Sequence, residues 1–207
     1  LQAHSWPGNV RQLRNNIERL MILAGGDVDA VLDASMLPPD VGSMVPSMRR
    51  VAAGLLAAIE ERQPVPRIRV SSLDPHESSD ELIRRLAQAE TLCPHLHVPL
   101  QSGADATLAR MRRRYDTALA RDVLLKLRAA LPHAALGTDL IVGFPGESEE
   151  AFSHTFTFLE ESPLTYFHVF PYSVRSGTTA AKFSDKVPQP ILDARSRAVR
   201  KLGAQKK

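Results

Sequence analysis

Hydrophobic residues fall in short runs along the second half of the chain, and turn-forming or polar residues stop each run. The clearest run covers residues 140–142 and is ended by Gly143, Pro145 and Gly146. A short apolar run of this kind predicts a strand that is buried on both faces. Ser148 can cap a following helix whose first turn is acidic, where the helix dipole favours negative charge. The segment therefore predicts a strand, a glycine-rich turn and the start of a helix.

Four such strand signals follow one another, at residues 67–70, 95–100, 135–142 and 166–170. Helical patterns lie between them, and further helices are predicted at about 49–62 and 188–203. The strand starts are 28 to 40 residues apart, which is the length of a βαβ unit and requires parallel strands. The prediction is an α/β fold with about four βα units. Four strands are too few to close an eight-stranded barrel, so an open sheet and a partial barrel both remain possible.

Each predicted strand ends in polar or turn-forming residues. Because the carboxyl ends of parallel strands meet at one edge of the sheet, these side chains are expected to converge on one cavity. The candidates are Ser72, Gln101, Ser102, Asp139, Gly143 and Tyr172. Hydroxyls, an amide and an aromatic ring suit a ligand that is rich in hydroxyls and ring nitrogens. No nucleophile paired with a base is evident, so hydrolysis is not favoured and no catalytic residue is assigned.

Composition narrows the function classes only a little. A hydrophobic content of 43% and a charged content of 24% are ordinary for a soluble protein, and no apolar run is long enough to span a membrane. The net charge of +3 does not establish a nucleic-acid partner, although the last 26 residues are basic. The single cysteine, Cys93, excludes an internal disulfide and a metal cluster held by several cysteines of this chain. We expect a cytoplasmic location.

The chain changes character near residue 48. Residues 36–48 contain three prolines and a glycine, which predicts a linker between domains at 1–48 and 49–207. Before it, residues 4–20 contain the sequence Gly-Asn-Val-Arg-Gln-Leu. This segment resembles the helical lid of the AAA+ domain in sigma-54-dependent transcription activators of the nitrogen-regulator type. The resemblance implies that Arg11 contacts nucleotide phosphates. No phosphate-binding Lys-Ser/Thr loop is present, so the chain alone would not hydrolyse ATP.

A second resemblance covers residues 66–203. Four segments carry this resemblance: residues 69–75 (Arg-Val-Ser-Ser-Leu-Asp-Pro), 93–103 (Cys-Pro-His-Leu-His-Val-Pro-Leu-Gln-Ser-Gly), 138–147 (Thr-Asp-Leu-Ile-Val-Gly-Phe-Pro-Gly-Glu) and 168–173 (His-Val-Phe-Pro-Tyr-Ser). They resemble the second half of a radical-SAM methylthiotransferase core, with a partial (βα) barrel as its fold. In such enzymes a 4Fe-4S cluster reduces S-adenosylmethionine to a radical, and a methylthio group is added to an adenosine beside the tRNA anticodon.

The resemblance also implies roles for individual residues. Ser72, Gln101, Ser102 and Asp139 would line the S-adenosylmethionine side, and the Gly143 turn would leave room for the ligand. Phe170 to Tyr172 would border the adenine. The region around residues 164–173 is most similar to enzymes that act on threonylcarbamoyl-adenosine, with the isopentenyl-adenosine enzymes as the close alternative.

The chain departs from the family in one important respect, because the three-cysteine motif that binds the radical cluster is missing. Cys93 cannot replace it, so the chain is expected to be inactive alone. Three histidines could together bind a metal ion, namely His95, His97 and His168. Histidines with hydrogen-bond partners are the favoured interpretation, so no metal site is predicted. The alternatives are a sigma-54-type regulator fragment that acts as a binding module, and a small α/β domain for another nucleotide. Missing strands would leave an open sheet edge, which predicts self-association.

Overall fold

The computed structural model describes residues 48–62 and 66–206. The chain divides into two compact units, residues 1–51 and 52–207, and only residues 48–51 of the first are described. The AAA+-like segment and Arg11 therefore lie outside the described residues. Within the described part, no helix is both long and apolar enough to cross a membrane.

A three-stranded parallel sheet with the order β1-β2-β3 forms the centre of the second unit. Its strands are β1 (His95–His97), β2 (Ala135–Val142) and β3 (Tyr166–Pro171). The α-helices are α1 (Met48–Arg62), α2 (Asp80–Gln88), α3 (Asp105–Arg110), α4 (Thr117–Ala130), α5 (Glu149–Glu161) and α6 (Gln189–Gln205). Short 3-10 helices lie at Pro75–Glu77 and Thr179–Lys182. The alternation of strands and helices confirms the predicted α/β fold.

Local sequence signals set the starts of the helices that follow the strands. Ser148 accepts a hydrogen bond from the Ala151 amide at 3.0 Å, as the sequence predicted for the start of α5. Ser79 and Asp116 cap α2 and α4 in the same way. Each cap satisfies an amide that has no partner inside the helix, and such a cap typically contributes about 1 kcal/mol.

The first predicted strand, residues 67–70, is reduced to a single parallel bridge between Ile68 and Leu92. The Ile68 amide donates to the Thr91 carbonyl, and the Cys93 amide donates to the Ile68 carbonyl. The next amide that could extend this ladder, that of His95, donates to the Cys93 carbonyl instead. The prediction of a regular strand here was therefore wrong, although the segment does lie beside β1.

The two faces of the sheet differ in chemistry. One face carries residues that are fully buried and join the helices in a single hydrophobic core, namely Leu96, Leu136, Leu140 and Val142, with Phe167 and Val169 packed against it. The opposite face carries His95, His97, Gly137, Asp139, Ile141, Tyr166, His168 and Phe170, which we call the inner face. Among the described residues, no member of the inner face belongs to the hydrophobic core. The sheet is thus covered by apolar helix faces on one side and presents polar and aromatic groups on the other.

A buried ion pair ties α6 to the turn that follows β2. The side chains of Arg195 and Glu147 are only 7% and 2% exposed, and Arg195 Nη1 lies 3.1 Å from Glu147 Oε2. The same carboxylate oxygen accepts from the Gly143 amide at 2.7 Å, and Arg195 Nη2 reaches Glu149 at 2.8 Å. Burial raises the pKa of Glu147, while Arg195 and the Gly143 amide oppose that rise. The pair therefore fixes the conformation of the turn.

Replacing Arg195 with alanine should leave the Glu147 carboxyl buried without its cation. We expect Arg195→Ala to lower the free energy of unfolding by about 3 kcal/mol or more, since breaking a buried pair from one side is strongly destabilising. Urea denaturation followed by circular dichroism measures this. Arg197→Ala is the matched control, because Arg197 lies two residues away on the same helix and is exposed. Its effect should stay within about 0.5 kcal/mol; equal effects of the two changes would contradict the assignment.

Candidate ligand-binding site on the sheet

The strand ends predicted from the sequence do lie side by side. The Leu73 amide donates to the His97 carbonyl at 2.8 Å, and the Gln101 amide donates to the Asp139 carbonyl at 2.8 Å. The Tyr172 amide donates to the Val142 carbonyl, also at 2.8 Å. We call this edge, residues 71–73, 99–103, 143–147 and 171–173, the carboxyl rim. Backbone hydrogen bonds thus bring all four predicted segments to one edge of the sheet.

The backbone is strained at two positions of the carboxyl rim. Ser72 and Gln101 adopt left-handed conformations, with φ of 61° and 69°, and Gly143 follows β2 with φ of 75°. A side chain makes this conformation unfavourable by roughly 1–2 kcal/mol, so only glycine adopts it readily. Strained non-glycine residues tend to cluster where a site constrains them. Their position at two adjacent strand ends directs attention to the rim as a binding site.

The predicted site residues differ in how free their side chains are. Ser72 is exposed and Gln101 is half-buried, so both can reach a ligand. The Ser102 hydroxyl is buried 3.2 Å from the Thr155 hydroxyl and accepts from the Ala104 amide, which favours a structural role. Phe170 is 51% exposed on the inner face. The Tyr172 hydroxyl is buried and has no hydrogen-bond partner among the described residues, and the Tyr172 ring packs edge-on against Phe144 with 5.4 Å between the ring centroids.

Gly143 is required for packing. A Cβ atom there would lie 2.7 Å from Leu192 Cδ1, and its amide already donates to Glu147. The sequence prediction gave the glycine the task of leaving room for a ligand. The structure adds a packing reason, because Leu192 of α6 occupies the direction of an added Cβ atom; that the turn leaves room for a ligand stays a prediction.

Tyr115 supports the rim from the side of the helices. Its hydroxyl donates to the Leu100 carbonyl at 2.9 Å and lies 3.1 Å from the Pro99 carbonyl, directly before Gln101. Burial raises the pKa of Tyr115 to about 12. No role for Tyr115 was predicted from the sequence, because its partners are backbone carbonyls that no side-chain pattern reveals.

Removing the Tyr115 hydroxyl should destabilise the fold in a way that depends on pH. Tyr115→Phe is expected to lower the free energy of unfolding by about 1 kcal/mol at pH 8, since a buried carbonyl loses its donor. The unfolded tyrosine ionises near 10 and the folded one near 12. The stabilisation is therefore complete below pH 10 and is lost as the pH rises towards 12. Urea denaturation of the unchanged chain and of Tyr115→Phe at pH 8 and pH 11 measures this. If the difference between their free energies of unfolding is as large at pH 11 as at pH 8, the assignment is contradicted.

A chain of polar contacts crosses the inner face from one strand to the next. Arg69 Nε donates to His95 Nδ1 at 3.2 Å, and the Tyr166 hydroxyl lies 2.8 Å from His95 Nε2 and 3.3 Å from His97 Nδ1. Burial and the positive charge of Arg69 lower the pKa of His95, so its ring is neutral at pH 7. Burial raises the pKa of Tyr166, which keeps its hydroxyl protonated. The histidines predicted to have hydrogen-bond partners do have them.

The contacts continue to a carboxylate. Asp139 Oδ1 lies 3.0 Å from His97 Nε2 and 3.2 Å from His168 Nδ1. Each strand of the sheet thus contributes one member to a cluster of His97, Asp139 and His168. The sequence prediction grouped His168 with His95 and His97, but Tyr166 lies beside His95 and Asp139 takes its place.

Gly137 makes this arrangement possible. A Cβ atom at Gly137 would lie 1.8 Å from Tyr166 Cζ, so the tyrosine ring covers the backbone of β2. Any larger residue would push the ring away from both histidines. The need for a glycine at position 137 could not be predicted from the sequence, because the contact depends on the register that pairs Gly137 with Tyr166.

Gly137→Ala should displace Tyr166 and lower the free energy of unfolding by about 1–3 kcal/mol, the usual effect of overpacking. Gly54→Ala is the control, because Gly54 lies in α1 with no atom within 4 Å of the added methyl group. That change should stabilise by roughly 0.5–1 kcal/mol. Thermal unfolding of the two variants measures both effects. Equal behaviour would contradict the close contact between Gly137 and Tyr166.

Comparison with known protein families identifies the superfamily of this chain. A model of the radical SAM superfamily matches residues 10–159. The chain belongs to the radical SAM superfamily. The match begins inside the segment that the sequence analysis assigned to an AAA+ lid, and the comparisons give no support to a sigma-54-type activator.

The radical SAM chain is similar to tRNA-modifying enzymes. It is 43% identical over 162 residues to tRNA-2-methylthio-N(6)-dimethylallyladenosine synthase of Nocardia farcinica, which covers 78% of this chain and 31% of that protein. It is 44% identical over 144 residues to threonylcarbamoyladenosine tRNA methylthiotransferase MtaB of Bacillus subtilis, with 69% and 32% covered. The chain therefore spans about a third of the length of the curated relatives it matches.

A solved structure agrees on the fold. Coproporphyrinogen III oxidase (HemN) of Escherichia coli, a radical SAM enzyme, superimposes with a TM-score of 0.62 at 18% sequence identity. The superposition covers 76% of this chain and 37% of that one. The sheet and its helices are thus part of a radical SAM domain, as the sequence predicted.

Radical SAM proteins use S-adenosylmethionine and a 4Fe-4S cluster. The residues of this chain do not fit the cluster, because its only cysteine is Cys93 and cysteine thiolates are the ligands of such clusters. Cys93 also precedes β1, at the end of the strand opposite the carboxyl rim. The rim fits S-adenosylmethionine better, since it offers the accessible polar side chains of Ser72 and Gln101.

Proposed function

We propose that this chain is the S-adenosylmethionine-binding part of a tRNA methylthiotransferase. Its whole activity would be to add a methylthio group to a modified adenosine beside the tRNA anticodon. The observation that carries the proposal is identity above 40%, over 162 and 144 residues, to two enzymes named for that reaction. On this proposal the partner is tRNA and the location is cytoplasmic.

The residues of the chain would divide the work at the carboxyl rim. Ser72 and Gln101 would donate to the ribose and amino-acid parts of S-adenosylmethionine, while Phe170 and Tyr172 would border its adenine. Asp139 lies within β2 and would orient ligand groups that reach the inner face. When bound, S-adenosylmethionine supplies the radical chemistry of the superfamily. The strained backbone at Ser72 and Gln101 would hold their side chains ready for the ligand.

The substrate is proposed to be threonylcarbamoyl-adenosine, with isopentenyl-adenosine as the alternative. The relatives include both types at nearly the same identity, 44% for the first and 43% for the second. The segment at residues 164–173 favours the first. The phenylalanine and tyrosine side chains of this segment, Phe170 and Tyr172, lie where the base would enter.

We further propose that residues 1–48 and 49–207 are separate domains and that the chain alone is inactive. The chain alone would be inactive because its single thiol cannot hold the 4Fe-4S cluster. Self-association through the sheet edge that missing strands leave open is also proposed, since an unpaired strand edge favours pairing with another chain. No contact of the described residues supports the activator-type alternative.

The test is S-adenosylmethionine binding by the 207-residue chain, measured by equilibrium dialysis. We expect saturable one-to-one binding that Gln101→Gly weakens at least about tenfold, although glycine relieves the backbone strain at that position. Gln88→Gly makes the same chemical change at an exposed position at the end of α2 and should leave binding unchanged. Binding that is equal in the three proteins would contradict the proposed site.

A second readout concerns the cluster. Anaerobic reconstitution with iron and sulfide should give no stoichiometric visible absorption from a 4Fe-4S cluster in the isolated chain. A stoichiometric absorption would overturn the proposal that the chain is inactive alone, and it would leave the binding site on the rim unaffected.

A further inference from the structure

We propose that His97, Asp139 and His168 form a binding site for a divalent transition-metal ion of the zinc class on the inner face of the sheet. The ligand atoms are His97 Nε2, Asp139 Oδ1 and His168 Nδ1. This site is separate from the 4Fe-4S cluster, because it uses no sulfur ligand, and it does not depend on the proposed function.

The register of the sheet brings the three residues together. Asp139 and His168 are direct neighbours across β2 and β3, and His97 pairs with Gly137, two residues before Asp139. Side chains at these positions point to the same face. The three ligand atoms all lie within 4.8 Å of one another. The site therefore rests on regular strands, whose positions are better fixed than those of loops.

The distances suit a coordination sphere. Metal bonds of about 2.0–2.2 Å to nitrogen and oxygen place neighbouring ligand atoms roughly 2.9–3.4 Å apart at tetrahedral or octahedral angles. The two imidazole nitrogens lie 3.0 and 3.2 Å from the carboxylate oxygen. The two nitrogens lie within 4.8 Å of each other, so the exposed His168 ring would move towards His97 to complete the coordination sphere.

The charge of the cluster also favours a cation. Asp139 has a carboxylate that is only 30% exposed. Within the described ranges, no lysine or arginine lies within 4.0 Å of it, and its close contacts are the two imidazoles. A partly buried carboxylate without a cationic partner is unfavourable. A bound divalent ion would neutralise it.

The surroundings of His97 resemble the outer shell of a metal site. Histidine ligands usually bond through their other ring nitrogen to a second group, which fixes the ring. Here His97 Nδ1 lies 3.3 Å from the Tyr166 hydroxyl, and Tyr166 is in turn held beside His95. Gly137 provides the space that this tyrosine needs.

One side of the site is open. The His97 side chain is 11% exposed, whereas that of His168 is 56% exposed. Three protein ligands with an accessible side are typical of a site that keeps a position for an exchangeable ligand. Two imidazoles and a carboxylate suit zinc, iron(II) or cobalt(II), and they do not suit magnesium, which prefers oxygen ligands.

The test uses the 207-residue chain and cobalt(II) as the probe. Titration should give a visible absorption band that saturates at one ion per chain, and zinc(II) should displace it while magnesium(II) should not. In the imidazole region of the NMR spectrum, zinc(II) should shift His97 and His168. An absorption that never saturates, or shifts confined to other histidines, would overturn the proposal.

Variants identify the ligands. Asp139→Asn keeps the shape of the side chain and His168→Ala changes a half-exposed one, so both should fold. Each should weaken cobalt binding at least about tenfold, since even outer-shell changes cost 10–100-fold. His154→Ala, on the exposed face of α5, should leave binding unchanged. If both ligand variants bind cobalt as tightly as the unchanged chain, the cluster is a hydrogen-bonded network without a metal, and the proposal fails.

Discussion

Burial of one face of the sheet is the constraint on which the rest of the structure depends. Leu96, Leu136 and Leu140 are sealed against the helices, and the strand period of two then forces their neighbours onto the opposite face. Those neighbours are histidines, a carboxylate and aromatic rings. A shift of one residue in the register would bury the charges and expose the leucines. The hydrophobic core thereby fixes the positions of the polar groups.

The ends of the strands are fixed by a second set of contacts. Tyr115 holds the backbone before Gln101, and the buried pair of Glu147 and Arg195 holds the turn after β2. Tyr115 and Arg195 both reach the carboxyl rim from the side of the helices. A radical SAM domain needs this division of labour, because the ligand has to meet preformed groups at the rim while the stability of the fold comes from elsewhere.

Much of this arrangement was readable from the sequence. The apolar run of β2, the cap at Ser148 and the meeting of the strand ends follow from period, turn residues and parallel topology. The edge strand at residues 67–70 was overestimated, because the His95 amide donates to the Cys93 carbonyl and does not extend the ladder. The packing roles of Gly137 and Gly143 were missed, since each depends on one distant side chain, Tyr166 or Leu192. Asp139 was predicted from the sequence to lie at the site. Its two histidine partners could not be predicted, because their positions depend on the register of the strands.

The most direct test of the account is to locate bound S-adenosylmethionine by amide chemical shifts in the isolated chain. The account predicts that the largest changes fall at Ser72, Gln101 and the amides that follow β2 and β3, with smaller changes along the inner face. Amides in the buried middle of α4 and on the outer surface of α5 should not move. Changes centred on the helices, with the carboxyl rim unaffected, would contradict the central claim that the uncovered side of the sheet is where the ligand binds.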